Sequence, residues 1–308
     1  MEGKIIGSPF RNRASMKVSL VITTYNNHSM LKRVMESILV QTRHPDELFI
    51  ADDGSDGRTA SVIKFFSENA PFPVIHVRQE NRGFRAAKIR NEAIKRAAGD
   101  YIILLDGDCV VNNHFISDHL FLAEEGCFIQ GKRVHVVRDA VDSFTHEHAN
   151  SFPLLIKMSL RGKISNVHHV IRLPFDFSVK NRKLKGIKSC NMSFFRRDVL
   201  AVNGFNEDFI GWGNEDSELA CRFFRYGLKK KVHSFMAICF HLWHPSNKSF
   251  AKGNRELLEA TLKSTGYFCR NGLIKDAPES EDEKGVVGIC SLKATHPAQK
   301  AGHPGSLS

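Results

Sequence analysis

The sequence contains no CxxC pair, no long apolar run and no segment that resembles a secretion signal. Its seven cysteines are scattered and odd in number, which argues against a disulfide framework or a zinc knuckle and suits a reducing compartment. No segment approaches the roughly 18 to 20 apolar residues of a membrane-spanning helix, and residues 1–10 lack the apolar core of a signal peptide. We therefore expect a cytoplasmic protein that associates at most peripherally with the inner face of a membrane.

Acidic residues are outnumbered by basic ones, and the formal net charge is +11. Such an excess favours an anionic partner, and the charge alone leaves open whether this is nucleic acid, an acidic membrane surface or a phosphorylated substrate. With 308 residues and 42% hydrophobic content, the chain can bury a sizeable core as one large domain or as two lobes.

Short apolar runs alternate with amphipathic segments between residues 17 and 108. The runs predict strands at residues 17–23, 47–51, 73–77 and 101–106, and the segments predict helices beginning near Ser29, around 59–69 and at 84–98. Strictly alternating strands and helices are typical of parallel β-α-β units. The sequence therefore predicts an α/β fold with a Rossmann-like, mostly parallel sheet and flanking helices.

Each predicted strand ends in polar residues. These ends are Thr24-Tyr25-Asn26, Asp52-Asp53, Asn81 and Asp106-Gly107-Asp108. Turn residues would explain each cluster separately, but parallel strands bring all four ends to one edge of the sheet, where ligands of α/β proteins bind. Two carboxylates separated by Gly107 suit a divalent cation that carries phosphates. Their convergence with an aromatic residue favours a binding site.

The pattern is weaker after residue 112. Strands are predicted within residues 128–137, 190–195 and 232–240, and helices at 139–163, from Glu215 onward and at 252–264. The basic cluster at 182–188 is predicted to be a loop that would attract phosphate if it faced the cleft. The four histidines of this region match no ligand spacing, so we interpret them as loop residues: His146, His148, His168 and His169. We predict that residues 1–15 form a loose basic tail and that residues 275–308 form a disordered tail.

The ordered set of strand-end motifs, together with Asn81-Arg82-Gly83 and Arg90-Asn91, resembles family 2 glycosyltransferases of the GT-A fold. Downstream, Gly204-Phe205-Asn206-Glu207 and Gly211-Trp212-Gly213-Asn214-Glu215-Asp216 resemble the carboxyl-terminal domain of β-1,4-galactosyltransferases and bacterial chondroitin-polymerase-like enzymes. The resemblance divides the chain into a nucleotide-sugar-binding GT-A domain at residues 16–125 and an acceptor-binding, galactosyltransferase-like subdomain at 126–265. Asn214 stands where the animal galactosyltransferases carry Gly.

The resemblance implies a donor site for a nucleotide sugar, with UDP as the expected nucleotide. Tyr25 would stack on the base, Asp53 would accept from its imide N–H, and Asp106 would meet the ribose or the metal. The full set of implied donor-binding residues is Thr24, Tyr25, Asn26, Asp53, Asn81, Gly83, Arg90, Asp106 and Asn191.

The resemblance also implies a metal cofactor. Asp108 would bind the ion directly, and His244, or His241 beside it, stands where related enzymes supply a ligand after the last strand of the second domain. A divalent cation stabilises the charge that grows on a departing diphosphate. Imidazole ligands favour Mn²⁺ over Mg²⁺, since Mg²⁺ prefers oxygen-only sites.

For the acceptor, the resemblance implies Asp216 as the general base, Glu215 as a hydrogen-bond partner of the acceptor sugar, and Trp212 as an apolar ring face on a loop that closes over the donor. The implied reaction is an inverting transfer to a glycan or glycolipid acceptor. Three alternatives remain: a nucleotidyltransferase or lipid-phosphate sugar transferase on the same fold, a basic nucleic-acid-binding module, and an inactive sugar-binding relative. The nucleic-acid module predicts aromatics interleaved with Lys and Arg and no buried acidic pair, so we expect no nucleic-acid partner.

Overall fold

The computed structural model of the protein describes residues 15–245 and 252–275. Apart from residues 15 and 275, the two predicted tails lie outside these ranges. The strands are β1 (Val18–Thr24), β2 (Glu47–Asp52), β3 (Val74–Arg78), β4 (Tyr101–Asp106), β5 (Cys109–Val111), β6 (Cys127–Gln130), β7 (Lys132–Val136), β8 (Ile164–Ser165), β9 (Val179–Asn181), β10 (Asn191–Phe195), β11 (Lys229–Val232) and β12 (Ile238–Leu242).

The α-helices of the described residues flank two sheets. They are α1 (His28–Leu39), α2 (Gly57–Asn69), α3 (Ala86–Arg96), α4 (Phe115–Leu122), α5 (His146–Asn150), α6 (Phe152–Leu160), α7 (Arg196–Ala201), α8 (Glu215–Arg225) and α9 (Lys252–Lys263). Short 3₁₀ turns cover Arg138–Ala140 and Val167–Val170. The larger sheet has the order β3-β2-β1-β4-β10-β6-β11-β9, and the smaller sheet has the order β5-β12-β7-β8.

Strands β3, β2, β1 and β4 are parallel neighbours, as the alternating sequence pattern predicts. Both faces of β1 and β4 are buried: Leu20 and Ile22 of β1 pack on one side of the sheet, and Val21 packs on the other. Helix α1 covers the first face, and α3 covers the second. This double burial explains why β1 and β4 are continuous apolar runs, since a parallel sheet is covered on both sides.

The downstream strands extend the same sheet. Strand β10 pairs antiparallel with β4 and with β6, and β11 then pairs parallel with β6. The two predicted segments, residues 16–125 and 126–265, therefore contribute strands to one continuous hydrogen-bonded sheet. The mostly parallel α/β fold is confirmed, with an antiparallel strand inserted where the two predicted segments meet.

The prediction of a single strand at residues 232–240 is wrong. The segment holds the end of β11 and the start of β12, which belong to different sheets. Between them Ala237 has a positive φ of 53°, and its N–H donates to the buried carboxylate of Asp118 at 3.1 Å. That carboxylate, which also pairs with Arg172, fixes the turn that moves the chain from one sheet to the other.

Candidate active site

The ends of β1, β2 and β4 lie level at one edge of the larger sheet. In the strand register Thr24 is opposite Asp52, and Thr23 is opposite Asp106. Backbone hydrogen bonds continue past the strands, because Asp53 donates to the Thr24 carbonyl at 3.0 Å and Gly107 donates to the Thr23 carbonyl at 2.8 Å. The carboxyl ends of the parallel strands thus carry the polar clusters to one place.

Tyr25 and Asp53 line the outer part of this edge. The Tyr25 ring is 45% exposed, and its hydroxyl accepts from the Asn81 side chain at 3.0 Å. Asp53 is buried, accepts from the backbone N–H of Arg85 at 2.7 Å and from the Gln79 side chain, and burial raises its pKa. A cavity of about 280 Å³ beside it is lined by Gln79, Glu80, Arg82, Arg85 and Lys88.

Close backbone contacts hold this part of the site together. Gly54 has a positive φ of 89°, and a Cβ atom there would lie 2.5 Å from the backbone nitrogen of Asn81. Asn26 also has a positive φ, and its side chain accepts from the N–H of Asp56 at 2.8 Å. The buried hydroxyl of Thr24 has no hydrogen-bond partner among the described residues. The Asn26 side chain serves the turn that follows β2.

Asp108, His241 and His244 form a cluster with the chemistry of a metal site. One ligand atom of each lies within 4.8 Å of the others, and no other such group of three occurs in the part of the chain described. The Asp108 carboxylate lies 3.0 Å from His244 Nε2 and 3.6 Å from His241 Nε2. One carboxylate and two imidazoles suit a transition-metal ion such as Mn²⁺.

The smaller sheet builds this cluster. Strands β5 and β12 are antiparallel and place His241 opposite Cys109, directly after Asp108. The Leu242 N–H donates to the Asp108 carbonyl at 2.9 Å. Burial opposes ionisation of Asp108, but both histidines outweigh it and lower its pKa. The hydrogen bond to Asp108 raises the pKa of His244 to about 9.

Arg90 on α3 connects the Asp106 end of β4 with the start of α8. Its guanidinium is buried and donates to Asp106 at 3.1 Å, to Glu215 at 3.2 Å and to the hydroxyl of Thr23 at 3.1 Å. Each of the three guanidinium nitrogens thus has a protein partner, and the binding of a nucleotide sugar by Arg90 stays a prediction. Glu215 is likewise committed to Arg90, and the pair positions the two sides of the cleft.

Asp216 follows Glu215 at the amino terminus of α8. The side chain is half-buried and accepts from the N–H of Ser217 at 2.7 Å. Burial, followed by the charge of Glu215, raises the pKa of Asp216 to about 7, while Lys188 and Arg90 act in the opposite direction. A carboxyl group that titrates near neutral pH is suited to accept a proton from an alcohol.

Trp212 stands on a loop whose conformation depends on glycine. Gly211 and Gly213 have positive φ angles of 81° and 103°, and Asn214 has a left-handed φ of 76°. Trp212 is 38% exposed. The loop is anchored to the first part of the chain by the hydrogen bond from the Gly211 N–H to the Phe84 carbonyl at 2.8 Å. The Trp212 side chain is thus held beside the cleft by backbone contacts.

Residues 19–201, more than half of the chain, match the family described as glycosyl transferase family 2. The chain belongs to glycosyl transferase family 2. A second match, described as the N-terminal domain of galactosyltransferase, covers residues 169–245. Both resemblances that the sequence motifs indicated are therefore confirmed.

Curated relatives of this family member include enzymes that synthesise polysaccharides. The chain is 23% identical to the chondroitin synthase of Escherichia coli over 82% of this chain and 39% of that protein. It is 26% identical to the hyaluronan synthase of Pasteurella multocida over 71% of this chain and 24% of that protein. It is 27% identical to validoxylamine A glucosyltransferase of Streptomyces hygroscopicus subsp. limoneus over 70% of this chain and 49% of that protein. The chain thus spans about a quarter to a half of these relatives.

Solved structures share the fold. TarS residues 1–349 of S. aureus in complex with UDP superpose with a TM-score of 0.56 at 16% identity, covering 80% of this chain and 65% of that one. The mannosyltransferase PcManGT of Pyrobaculum calidifontis, in complex with GDP-Man and Mn²⁺, gives a TM-score of 0.50 at 17% identity, covering 76% and 59%. This family member therefore has the GT-A fold.

Asn191, which was predicted to bind the nucleotide sugar, lies where the two sheets meet and lines a second cavity. The side chain is buried, donates to the carbonyls of Lys132 and Ala237, and lies 3.0 Å from His119 Nε2. A Cβ atom on Gly131 would lie 2.2 Å from its amide oxygen. Asn191 therefore joins the two sheets internally, and both of its amide hydrogens are engaged by backbone carbonyls. Gly83, the glycine among the implied donor-binding residues, has the positive φ of 82° that its turn requires.

Two residues beside the site were absent from the predicted set of site residues. Asn254 on α9 is buried and donates to the carbonyls of Gly211 and Gly213 at 3.4 and 3.0 Å, so it supports the Trp212 loop. Lys188 lies close enough to Asp216 to lower its pKa. For Lys188 the basic cluster was a signal, and the structure now shows that this end of the cluster faces the cleft. For Asn254 a lone polar residue on an amphipathic helix gave no such signal.

The four histidines of the middle segment form no metal cluster within the described residues. His148 belongs to a capping interaction with Thr145 at the start of α5. His169 Nδ1 lies 2.6 Å from the Ser234 carbonyl. Their interpretation as loop residues is wrong for His146 and His148, which lie in α5, and for His169, which is buried in the 3₁₀ turn at Val167–Val170.

Proposed function

We propose that the protein is an inverting, metal-dependent glycosyltransferase. It would move galactose, N-acetylgalactosamine or glucose from a UDP-linked donor to a saccharide or lipid-linked saccharide, forming a β-glycosidic bond in surface-glycan synthesis. One observation carries this proposal: the buried Arg90 guanidinium contacts both Asp106, two residues before metal-ligand candidate Asp108, and Glu215, next to base candidate Asp216. This contact supports placing the two halves of the implied chemistry in one cleft.

The donor nucleotide would bind at the outer edge of the sheet. The exposed Tyr25 ring offers a stacking surface, and the Asp53 carboxylate offers an acceptor for a base N–H. The UDP complex of TarS supports the choice of UDP, because it is a neighbour with the same fold. Thr24 and Asp106 would face the ribose and the phosphates, and Gly83 would let the Asn81 turn approach them.

Asp108, His241 and His244 would hold the divalent cation. Their ligand atoms lie within 4.8 Å of one another, and their mixed oxygen and nitrogen chemistry fits Mn²⁺ better than Mg²⁺. A cation bound there supplies Lewis-acid stabilisation of a diphosphate leaving group. The Mn²⁺ of the PcManGT complex supports this assignment.

Asp216 would remove the proton from the acceptor hydroxyl. An alcohol is a weak nucleophile at neutral pH, and a positioned carboxylate contributes a factor of about 10² to 10⁴ in rate. Trp212 would offer its ring to the apolar face of the acceptor sugar. Because one in-line displacement reverses the configuration of the anomeric carbon, an α-linked UDP-sugar would give a β-linked product.

A panel of UDP-galactose, UDP-N-acetylgalactosamine and UDP-glucose tests this function. With Mn²⁺ we expect UDP release from at least one donor, loss of release in EDTA, and better recovery with Mn²⁺ than with Mg²⁺. Release that continues unchanged in EDTA would contradict the metal assignment. Binding of UDP without turnover of any donor or acceptor would favour an inactive sugar-binding relative, and product formation from a sugar phosphate and a nucleoside triphosphate would favour a nucleotidyltransferase.

We also propose peripheral docking on an anionic membrane. In the described residues every helix is too short or too polar to traverse a bilayer. Helix α6 exposes Phe152, Ile156 and Leu160 along one stripe, with exposed Lys157 and Arg161 beside them. Apolar side chains flanked by basic ones are typical of helices that lie in a membrane interface.

Liposome flotation tests the docking proposal. We expect binding to vesicles that contain phosphatidylserine, less binding to neutral vesicles, and loss of binding in Leu160→Glu. Leu262→Glu is the matched control, because Leu262 is an exposed leucine on α9. Equal flotation of the two variants, or no dependence on anionic lipid, would refute the proposal.

A further inference from the structure

A second cavity lies next to the candidate active site. Its volume is about 250 Å³, and its polar lining includes Lys132, Arg133, His135, Asn166, His169 and Lys188. The lining comes from β7, from the 3₁₀ turn at Val167–Val170 and from the loop that precedes β10. Asn191, which the sequence analysis assigned to donor binding, also lines the cavity, whereas the six residues named above carry no donor, metal or base assignment.

The charge of this cavity is unbalanced. Within residues 15–245 and 252–275, Lys132, Arg133 and Lys188 form no ion pair with a carboxylate at the 4.0 Å limit. The Arg133 guanidinium donates to the Cys190 sulfur at 3.7 Å. Three cations without a carboxylate paired to them favour an anionic ligand.

The cavity lies between the candidate base and the metal cluster. Lys188 acts electrostatically on Asp216, and the His135 ring is 5.5 Å from the His241 ring. The donor nucleotide residues Tyr25 and Asp53 do not line this cavity. A ligand bound to Lys188 in the cavity would therefore lie near Asp216.

The backbone around the three cations is held in place. Gln130 accepts from the Lys188 N–H at 2.9 Å and donates to the Lys188 carbonyl at 3.0 Å. Asn191 donates to the carbonyl of Lys132 at 3.0 Å, and Asn166 donates to the carbonyl of Arg133 at 3.2 Å. Each cationic residue is thus anchored by a side chain from another segment. Anchoring of this kind reduces the entropy that is lost when a ligand binds.

We propose that this cavity binds a negatively charged group of the acceptor, either a phosphate or a carboxylate on a sugar. The proposal rests on the glycosyltransferase function above, and it adds a substrate class: anionic acceptors. Arg133 would bind two oxygens of the group in its planar fork, and Lys132 and Lys188 would add point charges. A neutral acceptor would leave the three cations without a partner, so the cavity would select for charge.

Direct binding of three probes that differ only at carbon 6 tests the proposal: methyl β-D-glucoside, methyl β-D-glucuronide and methyl β-D-glucoside 6-phosphate. The full chain is titrated with each probe while UDP and Mn²⁺ are saturating. We expect at least one charged probe to bind about tenfold or more tightly than the neutral one, since hydrogen bonds to charged groups are strong enough for such a factor. The charged probe that binds better identifies the phosphate or the carboxylate as the preferred group.

Variants test whether the cavity causes the preference for a charged probe. Lys188→Gln and Arg133→Gln should each remove most of this preference. Lys185→Gln should keep it, because Lys185 is an exposed lysine of the same basic cluster outside the cavity. Affinity is measured rather than turnover, because Lys188 also influences Asp216. The Lys188 side chain is exposed, so its replacement leaves the core intact. The Lys188 variant therefore still tests the proposal if the Arg133 variant fails to fold.

Three results would overturn the proposal: equal affinity for all probes, a preference that persists in both cavity variants, or a matching loss of UDP affinity, which would assign the cavity to the donor diphosphate. UDP release from the donor panel reports the proposed function separately. Wild-type turnover with equal probe affinities refutes the anionic acceptor alone, whereas loss of both UDP binding and UDP release refutes the two together.

Discussion

The donor half and the acceptor half of the cleft differ in how far along the chain their stabilising contacts reach. In the donor half, Asp53 accepts from Arg85, 32 residues away, and Asn81 donates to Tyr25, 56 residues away. In the acceptor half, Arg90 reaches Glu215 across 125 residues. The first half follows from consecutive β-α-β units, while the second requires distant segments to meet.

This difference has an energetic counterpart. The donor half is positioned mainly by backbone hydrogen bonds at strand ends, which form whenever the sheet forms. The acceptor half depends on a buried ion-pair network around Arg90, and removing one partner of such a network leaves an uncompensated buried charge. We therefore expect substitutions in the acceptor half to disturb both chemistry and stability, and the following predictions separate these effects.

The largest effect is expected for Asp216→Asn. Loss of the base should lower the transfer rate by about 10² to 10⁴, while the affinity for UDP stays within about twofold. The folded-state pKa of Asp216, near 7, exceeds the ordinary value of 3.8, so this carboxyl group ionises more readily in the unfolded chain. At pH 8, where it is ionised in both states, its charge therefore opposes folding. The variant should thus unfold at a temperature no lower than the wild type at pH 8.

Steady-state kinetics, UDP titration and thermal unfolding measure these quantities. Asp208→Asn is the control, because Asp208 is an exposed acidic residue of the same region, and it should turn over normally. Transfer by the Asp216 variant at a rate comparable to wild type would remove the base assignment.

Next comes Arg90→Gln, which breaks the contact between the two halves. Asp106 and Glu215 would lose their shared partner, and we expect a loss of about 3–5 kcal/mol in the free energy of unfolding together with reduced transfer. Arg96→Gln on the exposed side of α3 is the control. Denaturant unfolding measures the loss.

A double variant sharpens this test. Adding Glu215→Gln to Arg90→Gln removes one of the two unpaired carboxylates and should restore part of the stability, with a coupling energy of about 0.5–3 kcal/mol. Strictly additive losses would mean that the bridge between the two halves contributes nothing as a pair.

A smaller effect is expected for Asn254→Ala. The variant loses two hydrogen bonds to the Gly211 and Gly213 carbonyls, and each such bond contributes about 0.5–1.5 kcal/mol. The loosened Trp212 loop should raise the acceptor KM by about tenfold or less and leave UDP affinity unchanged. Arg255→Ala, which removes only an exposed pair with Glu259, is the control. An unchanged acceptor KM would show that α9 does not support the loop.

The smallest effect concerns pH. Because Asp216 must be ionised to act as a base, kcat/KM should rise tenfold per pH unit below about pH 7 and level off above it. Lys188 favours the ionised form of Asp216, so Lys188→Gln should move the rising part of the pH profile to higher pH. The pH profiles of the two proteins measure the displacement, and a shift to lower pH would contradict the positions assigned to Lys188 and Asp216.

The sequence alone was sufficient for the parallel half of the fold. Continuous apolar runs such as 101–105 are required when both faces of a strand are buried, and the polar residues after each run mark the ligand edge. It was insufficient for residues 109–122, where β5 and α4 went unassigned, and for the break at Ala237. In those segments the buried Asp118 and the exchange between sheets decide the conformation, and neither leaves a periodic pattern.

What the sequence by itself determined, then, is the parallel α/β core and the positions of Thr24, Asp53, Asp106 and Asp108 at its edge, because an apolar run and the polar residues that end it are local features of the chain. Only the tertiary structure decided which distant groups meet there. The pairing of β12 with β5 brings His241 and His244 to Asp108, Arg90 proves to be a bridge between Asp106 and Glu215, and Asn191 donates to the carbonyls of Lys132 and Ala237. These outcomes depend on contacts between remote segments, which single-residue chemistry and local periodicity do not encode.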